Sequence, residues 1–233
     1  YLFNSSRTGS DIFTFEQVKG PQNKNLKKWL PVIPEGKFGY FQSEGYSNFR
    51  IFAPRVSSVD LLLFSDNENV QRRISMDPQE DGTWSVLLKE NQEGKKYKYA
   101  ISKESGLKED EYYEKQIVDP YAKSLCSRNG PGIALTVKSG NGTRFEPPAA
   151  EELVILEAHL RDLLAHAPIE LTDEERLEFR GLSKWLKSDD CYLKKLGVNA
   201  IELQPIHQFD SKSKDEYHWG YMPVNFFAPC SHY

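Results

Sequence analysis

The stretch Asp81-Gly82-Thr83-Trp84-Ser85-Val86-Leu87-Leu88 joins a turn signal to a short strand, and this combination indicates the fold class. An Asp-Gly pair suits a tight turn, because glycine reaches positive φ at no steric cost. The residues after it are rich in types that favour an extended chain, and Trp84 is expected in the core. Another stretch, ending at Met76, precedes the turn. We therefore expect two neighbouring strands here.

Short strands separated by turn residues continue on both sides of this turn. Phe49–Phe52 and Lys96–Ile101 alternate between apolar and polar residues, and Ser58–Phe64 is mostly apolar. Such strands at near-regular spacing predict an all-β, immunoglobulin-like sandwich over residues 36–140. The polar residues 1–35 are predicted to form an extended lead-in.

The pattern changes after a Pro-rich and Gly-rich segment, residues 141–152, which is predicted to be a linker. Leu153–Leu156 then predicts a short buried strand, and Val198–Leu203 predicts another. Between them, Thr172 and Glu175 have the spacing of a capping box, so we expect a helix that begins there.

A strand, a helix and a second strand form a βαβ unit, which implies a parallel sheet. Two strands cannot bury both faces of such a sheet. We therefore expect residues 153–233 to be the start of an incomplete parallel sheet or barrel. The family resemblance described below implies that it is a (β/α)8 barrel.

Composition excludes several functional classes. The 233 residues are 39% hydrophobic and 27% charged, with a net charge of −4, as in ordinary globular proteins. Nucleic acid is not an expected partner, because a phosphate backbone favours a basic face. No apolar run approaches the roughly 20 residues that a membrane helix needs, so no membrane partner is expected.

The three cysteines, Cys126, Cys191 and Cys230, have neither disulfide-framework nor zinc spacing. Neither a metal nor a cofactor is expected, and the pattern favours a reducing, cytoplasmic compartment. Since Tyr1 is not an initiator methionine, a signal peptide could have been lost, and secretion stays open.

Three aromatic rings lie within five residues in Tyr217-His218-Trp219-Gly220-Tyr221. Sugars stack well on exposed rings, because their C–H faces are apolar, so the segment predicts a carbohydrate site. His207, after the second predicted strand, either reaches a sugar hydroxyl or has a structural role. At the end of the first strand we expect a buried ion pair, either Arg161 with Asp162 or Glu157 with Arg161.

Several ordered motifs resemble one known family. The chain resembles the N-terminal portion of the pullulanase and isoamylase group of α-glucan debranching enzymes, in glycoside hydrolase family 13, and its sandwich resembles a family 48 carbohydrate-binding module. The matching segments are Phe49–Val59, Gly82–Trp84, Tyr97–Tyr99, Val118–Lys123, Leu156–Asp162, Leu196–Pro205 and Tyr217–Tyr221.

The resemblance implies retaining hydrolysis of α-1,6 linkages in glycogen, starch or pullulan, with two carboxylates about 5 Å apart. By the family pattern these carboxylates follow the fourth and fifth barrel strands, so we expect no catalytic residue in this chain and no activity from it alone. Tyr221 matches the tyrosine that stacks under the sugar at the cleaved bond. Tyr217 and Trp219 either shape the same pocket or belong to a packed aromatic loop.

Two departures from the family pattern bear on function. Met222-Pro223 stands where pullulanases usually have Asp-Pro, and no tryptophan occurs in Phe64–Asn67, where related modules stack on glucan. Lys98 is accordingly expected to be a solvated surface residue. Two other functions stay open: a non-catalytic glucan-binding or scaffold protein, and a branching or trehalose-releasing enzyme on the same scaffold.

Overall fold

The computed structural model describes residues 34–67, 69–104, 112–137 and 145–233. Almost all of the predicted lead-in, and residues 141–144 of the predicted linker, lie outside these residues. None of the helices described in these ranges has the length and apolar character needed to cross a membrane.

Nine of the described strands build the sandwich. They are β1 (Gly39–Ser43), β2 (Tyr46–Phe52), β3 (Ser58–Phe64), β4 (Val70–Ser75), β5 (Asp77–Pro78), β6 (Thr83–Leu88), β7 (Lys96–Glu104), β8 (Tyr112–Ile117) and β9 (Gly132–Ile133). One antiparallel sheet has the order β1-β2-β6-β5, and the other has the order β4-β3-β7-β8 with β9 also paired to β7. The predicted strands Ser58–Phe64 and Thr83–Leu88 are confirmed at both ends.

The sandwich core forms between the two sheets from residues that alternate along each strand. Phe49 and Ile51 of β2 are buried, and they meet Leu61 of β3 and Tyr97 of β7. The rings of Phe49 and Tyr97 meet edge to face, with centroids 5.0 Å apart. Full burial of one such side chain contributes about 1.5–3 kcal/mol. Trp84 packs against this core half-buried, and its indole N–H donates to the carbonyl of Ala53.

A strand–helix–strand unit follows the sandwich. Strand β10 (Ile155–Ala158) pairs in parallel with β11 (Ala200–Leu203), with Leu156 opposite Ile201. Three helices lie between them in sequence: α1 (Leu160–Ala165), α2 (Phe179–Lys187) and α3 (Tyr192–Lys195). The helices and the strand pair share an apolar cluster of their own, the second cluster of the chain. Trp185 of α2 and Leu164 of α1 are fully buried in it. The parallel arrangement expected from the sequence is therefore present.

The predicted helix start at Thr172 is wrong. The capping box does form, since the amide of Thr172 donates to Glu175 and the amide of Glu175 donates to the Thr172 hydroxyl. It caps only a 3₁₀ turn, Glu175–Leu177, and α2 begins afterwards at Phe179. The turn folds tightly back on α2 at Gly181, where an added Cβ would lie 1.9 Å from the Glu175 carbonyl oxygen.

The predicted buried strand at Leu153–Leu156 also needs correction. Strand β10 starts two residues later, at Ile155, and the side chains of Leu153, Val154 and Ile155 are exposed. The helices cover the opposite side of the strand pair, where Leu156 packs with the second cluster. Within the described residues no third strand pairs with β10 or β11, and these apolar side chains face solvent.

Candidate functional site

The predicted sugar-binding segment lies in the loop that follows β11, at the carboxyl end of the parallel strand pair. Gly220 has a φ of +85°, and an added Cβ there would lie 2.2 Å from the carbonyl oxygen of Pro205. Only glycine fits this turn. The side chains on both sides of it are open to solvent, with Trp219 62% exposed and Tyr221 59% exposed. We call Trp219 and Tyr221 the aromatic platform.

Tyr217 is held more firmly than the platform. Its hydroxyl donates to a carboxylate oxygen of Asp162 at 2.7 Å, and its ring centroid lies 5.2 Å from that of His159. The hydrogen bond to Asp162 raises the pKa of Tyr217 above its ordinary value. The next residue, His218, stacks on Phe209 with centroids 4.6 Å apart. Tyr217 therefore both borders the platform and ties its loop to α1.

The predicted ion pair of Arg161 with Asp162 or Glu157 is wrong. Arg161 instead donates to the main-chain carbonyls of Lys214 at 2.6 Å and His232 at 3.1 Å. Its guanidinium also lies over the ring of Tyr233, 5.2 Å from the centroid. Carbonyls of the segment after β11 thus bind the guanidinium through its two terminal nitrogens. The carboxylate of Asp162 accepts from Tyr217 instead.

His159 and Tyr233 contact the main chain next to the platform. The Nε2 atom of His159 lies 3.1 Å from the carbonyl of His218 and 3.0 Å from the hydroxyl of Tyr233. Burial raises the pKa of Tyr233 to about 12, so this phenol stays protonated. The carbonyl of His218, immediately before Trp219, thus lies beside the buried His159, which is next to the half-buried Tyr233.

Tyr221 and Glu157 share the same edge of the site. The hydroxyl of Tyr221 lies 3.5 Å from a carboxylate oxygen of Glu157, at the end of β10. The arrangement combines exposed rings with an exposed carboxylate, which suits a sugar: rings stack on its C–H face and carboxylates accept from its hydroxyls.

His207 does not join this group directly. It is half-buried, its main chain pairs with Pro229, and its ring lies 6.0 Å from that of Phe226. The structure therefore brings Tyr217, Trp219 and Tyr221 onto one loop and leaves His207 beside a different aromatic residue. Within the described ranges, no group of three or more His, Cys, Asp or Glu side chains could hold a metal ion.

Sequence reasoning missed the second half of the same loop. Met222, Phe226 and Phe227 are exposed apolar side chains, and Asn225 between them is buried. Phe227 stacks on Tyr121 of the sandwich at 5.7 Å. The signal was present in the sequence, since an asparagine inside an aromatic run and the segment Val118–Lys123 were both visible, but nothing local linked them.

Comparison with known proteins identifies the class to which the sandwich belongs. Residues 37–122 match the family model "Carbohydrate-binding module 48 (Isoamylase N-terminal domain)". The sandwich is thus similar to the modules of this family, and a parallel strand–helix–strand unit that carries the aromatic loop follows it.

Whole-chain similarities extend beyond the module. The chain is 29% identical to the pullulanase of Bacillus subtilis over 214 residues, covering 85% of this chain and 28% of that protein. It is 26% identical to the chloroplastic isoamylase 1 of Arabidopsis thaliana, covering 90% of this chain and 31% of that protein. The crystal structure of the Paenibacillus barengoltzii pullulanase complexed with maltohexaose and α-cyclodextrin matches with a TM-score of 0.71 at 27% identity, covering 88% of this chain and 34% of that chain.

These matches confirm the resemblance seen in the motifs. The chain is similar to the N-terminal region of enzymes of the pullulanase and isoamylase group of glycoside hydrolase family 13. It spans about a third or less of the length of these relatives.

Proposed function

We propose that this chain is the N-terminal portion of an enzyme that hydrolyses α-1,6-glucosidic linkages in glycogen, starch or pullulan. Strands β10 and β11 are the first two strands of its catalytic barrel, and residues 36–140 and 153–233 are its two structural units. In the complete enzyme a retaining mechanism uses two carboxylates about 5 Å apart, supplied by later barrel strands. The relatives' names, pullulanase and isoamylase, support this assignment.

The observation that carries the proposal is the exposed aromatic platform at the carboxyl end of a parallel strand pair. In barrel enzymes the active site lies on the loops at this end. The ring of Tyr221 would stack under the sugar at the cleaved bond and favour its flattened, cationic transition state through the π face. Glu157, beside it, would accept a hydrogen bond from a sugar hydroxyl.

Incubation of the 233-residue chain with pullulan tests whether this chain alone is inactive. We expect no release of reducing ends above background, because the catalytic carboxylates follow later strands. The pullulanase of Bacillus subtilis serves as the positive control. Turnover by this chain that persists after a second purification step would contradict the proposal, and product analysis of the full-length protein separates debranching from branching or trehalose release.

Glucan binding without catalysis is the second candidate function, and the exposure of the platform in this chain favours it. Affinity electrophoresis in glycogen gels tests this. We expect retardation of the chain that disappears in the Tyr221→Ala variant. Retardation that is unchanged in that variant would indicate that the sandwich, and not the platform, binds the glucan.

A further inference from the structure

Asn225 lies between the aromatic platform and the sandwich, and both the oxygen and the nitrogen of its side-chain amide form two hydrogen bonds each. Its side-chain oxygen accepts from the main-chain N–H groups of Phe227 and Ala228, both at 2.8 Å. Its side-chain nitrogen donates to the carbonyls of Asp119 at 3.1 Å and Pro120 at 3.3 Å. The residue is buried, and its bonds to Asp119 and Ala228 are buried while those to Pro120 and Phe227 are partly buried.

We call the contact of Asn225 with Asp119 and Pro120 the junction. Asp119 is held in place on the sandwich side of it. Asp119 is fully buried, and its carboxylate accepts from the hydroxyls of Tyr97 at 2.6 Å and Tyr99 at 3.4 Å, both on β7. The other carboxylate oxygen accepts from the amide of Tyr121 at 2.9 Å. The carbonyls that Asn225 reaches are therefore fixed to the centre of the sandwich core.

Aromatic stacking extends the junction. Tyr121 lies between two rings, with Phe38 at 4.7 Å on one side and Phe227 at 5.7 Å on the other. The ammonium of Lys123 lies 4.4 Å from the centroid of Phe227, close enough for a cation–π contact. Beside this column, Ala228 packs with Ala122 and Leu125 of the sandwich.

The loop is also hydrogen-bonded between this junction and the platform. The amides of Val224 and Asn225 donate to the carbonyl of Gln208, and the amide of Asp210 donates to the carbonyl of Met222. Met222 follows Tyr221 directly. These main-chain bonds connect Asn225 to the segment that carries the platform.

We propose that Asn225 is a positioning residue that fixes the aromatic platform to the sandwich. The sandwich then contributes to glucan binding by holding the loop that carries Trp219 and Tyr221, and it need not contact the sugar itself. The proposal rests on the proposed function insofar as the platform binds glucan. That the sandwich holds the loop rests only on the contacts of Asn225 and Tyr121.

The two halves of the Asn225 amide can be separated by substitution. Asn225→Asp keeps an acceptor for the amides of Phe227 and Ala228 but removes both donations to the sandwich. Asn225→Ala removes all four bonds. Asn199→Ala is the matched control, because Asn199 also bonds main chain on both sides, accepting from Val154 and donating to Glu152, but at the opposite end of the strand pair.

The first measurement is calorimetric titration of the 233-residue chain and its variants with maltohexaose. We expect Asn225→Asp and Asn225→Ala to raise the dissociation constant roughly threefold to thirtyfold, as when residues coupling two sites are changed. We expect Asn199→Ala to leave it unchanged. Wild-type affinity in Asn225→Asp, or an equal loss in Asn199→Ala, would overturn the proposal.

The second measurement needs no sugar. Amide hydrogen exchange, followed by mass spectrometry, should become faster over residues 217–224 in Asn225→Asp and not in Asn199→Ala. Tyr121→Leu, a change on the sandwich side alone, should do the same, and it decides the matter if Asn225→Asp does not fold. Unchanged exchange over 217–224 in the folded variant would overturn the proposal. If wild-type chain does not bind maltohexaose, the proposed glucan platform fails while exchange still decides whether the sandwich holds the loop.

Discussion

The hydroxyl of Tyr217 donates a hydrogen bond of 2.7 Å to the carboxylate of Asp162. Tyr217 lies in the loop after β11, and Asp162 lies in α1, directly after β10. The bond therefore joins the segments that follow two neighbouring parallel strands. It brings the aromatic platform and the carboxyl end of β10, with Glu157, to one edge of the molecule.

Replacement of Tyr217 by phenylalanine should have a small effect on stability. Both partners of the hydrogen bond are exposed, so we expect the free energy of unfolding to fall by no more than about 1 kcal/mol. Urea denaturation measures this change. A loss above about 2 kcal/mol would mean that the hydroxyl has a buried structural role.

Replacement of Gly220 by alanine should be far more damaging than the same change at Gly197. Both glycines have positive φ, but nothing lies within 4 Å of the position that a Cβ would take at Gly197. There we expect a loss of about 1–2 kcal/mol from the left-handed conformation alone. At Gly220 the collision with the Pro205 carbonyl adds to this strain, because the loop must move.

Urea denaturation of the two glycine variants, together with amide exchange over residues 217–224, separates the two effects. We expect Gly220→Ala to unfold at clearly lower urea or to exchange faster in the loop. Equal unfolding curves and equal exchange in the two variants would contradict the tight approach to Pro205.

Asp119 should make stability depend on pH. Burial raises its pKa from an ordinary 3.8 to about 6, despite the hydrogen bonds from Tyr97, Tyr121 and Tyr99 and the charge of Lys123. Between these values the folded chain keeps a proton that the unfolded chain has released. The free energy of unfolding should therefore fall as the pH rises from about 4 to 6, by up to about 3 kcal/mol from this group.

Urea denaturation across that pH range, in wild type and in Asp119→Asn, isolates the contribution of this one carboxyl group. We expect the variant to lose this component, so that its stability relative to wild type increases with pH. Parallel pH profiles for the two proteins would show that Asp119 does not titrate with a raised pKa.

Replacement of Phe49 by alanine tests the sandwich core. Phe49 is fully buried between the sheets, whereas Leu87 of β6 is largely exposed. We expect a loss of about 3–5 kcal/mol for Phe49→Ala and a change within about 0.5 kcal/mol for Leu87→Ala. Comparable losses in chemical denaturation would contradict the assigned inward face of β2.

The sandwich was largely predictable, because its longer strands carry local signals. Alternation marked β2 and β7, and the Asp81-Gly82 turn marked the start of β6. The two-residue strands β5 and β9 have no such pattern and exist only because a neighbouring strand pairs with them.

The site was predictable only in part. A dense aromatic motif marked Trp219 and Tyr221, but the partners of Arg161 are main-chain carbonyls more than fifty residues away, and carbonyls leave no trace in a sequence. The bond from Asn225 to Asp119 spans 106 residues and was invisible for the same reason. Helix α2 was misjudged because a capping box can cap a 3₁₀ turn as well as a helix.

The most direct test of the central claim is titration of this chain with maltohexaose in wild type, Tyr221→Ala and Tyr46→Ala. Tyr46 is also an exposed tyrosine, but it lies on the sandwich. We expect saturable binding in wild type and the same affinity in Tyr46→Ala. We expect at least about a fivefold weaker affinity in Tyr221→Ala, by analogy with nucleic-acid bases, whose stacking on one aromatic ring is worth about 1–3 kcal/mol. Absence of binding in wild type, or full affinity in Tyr221→Ala, would contradict the account.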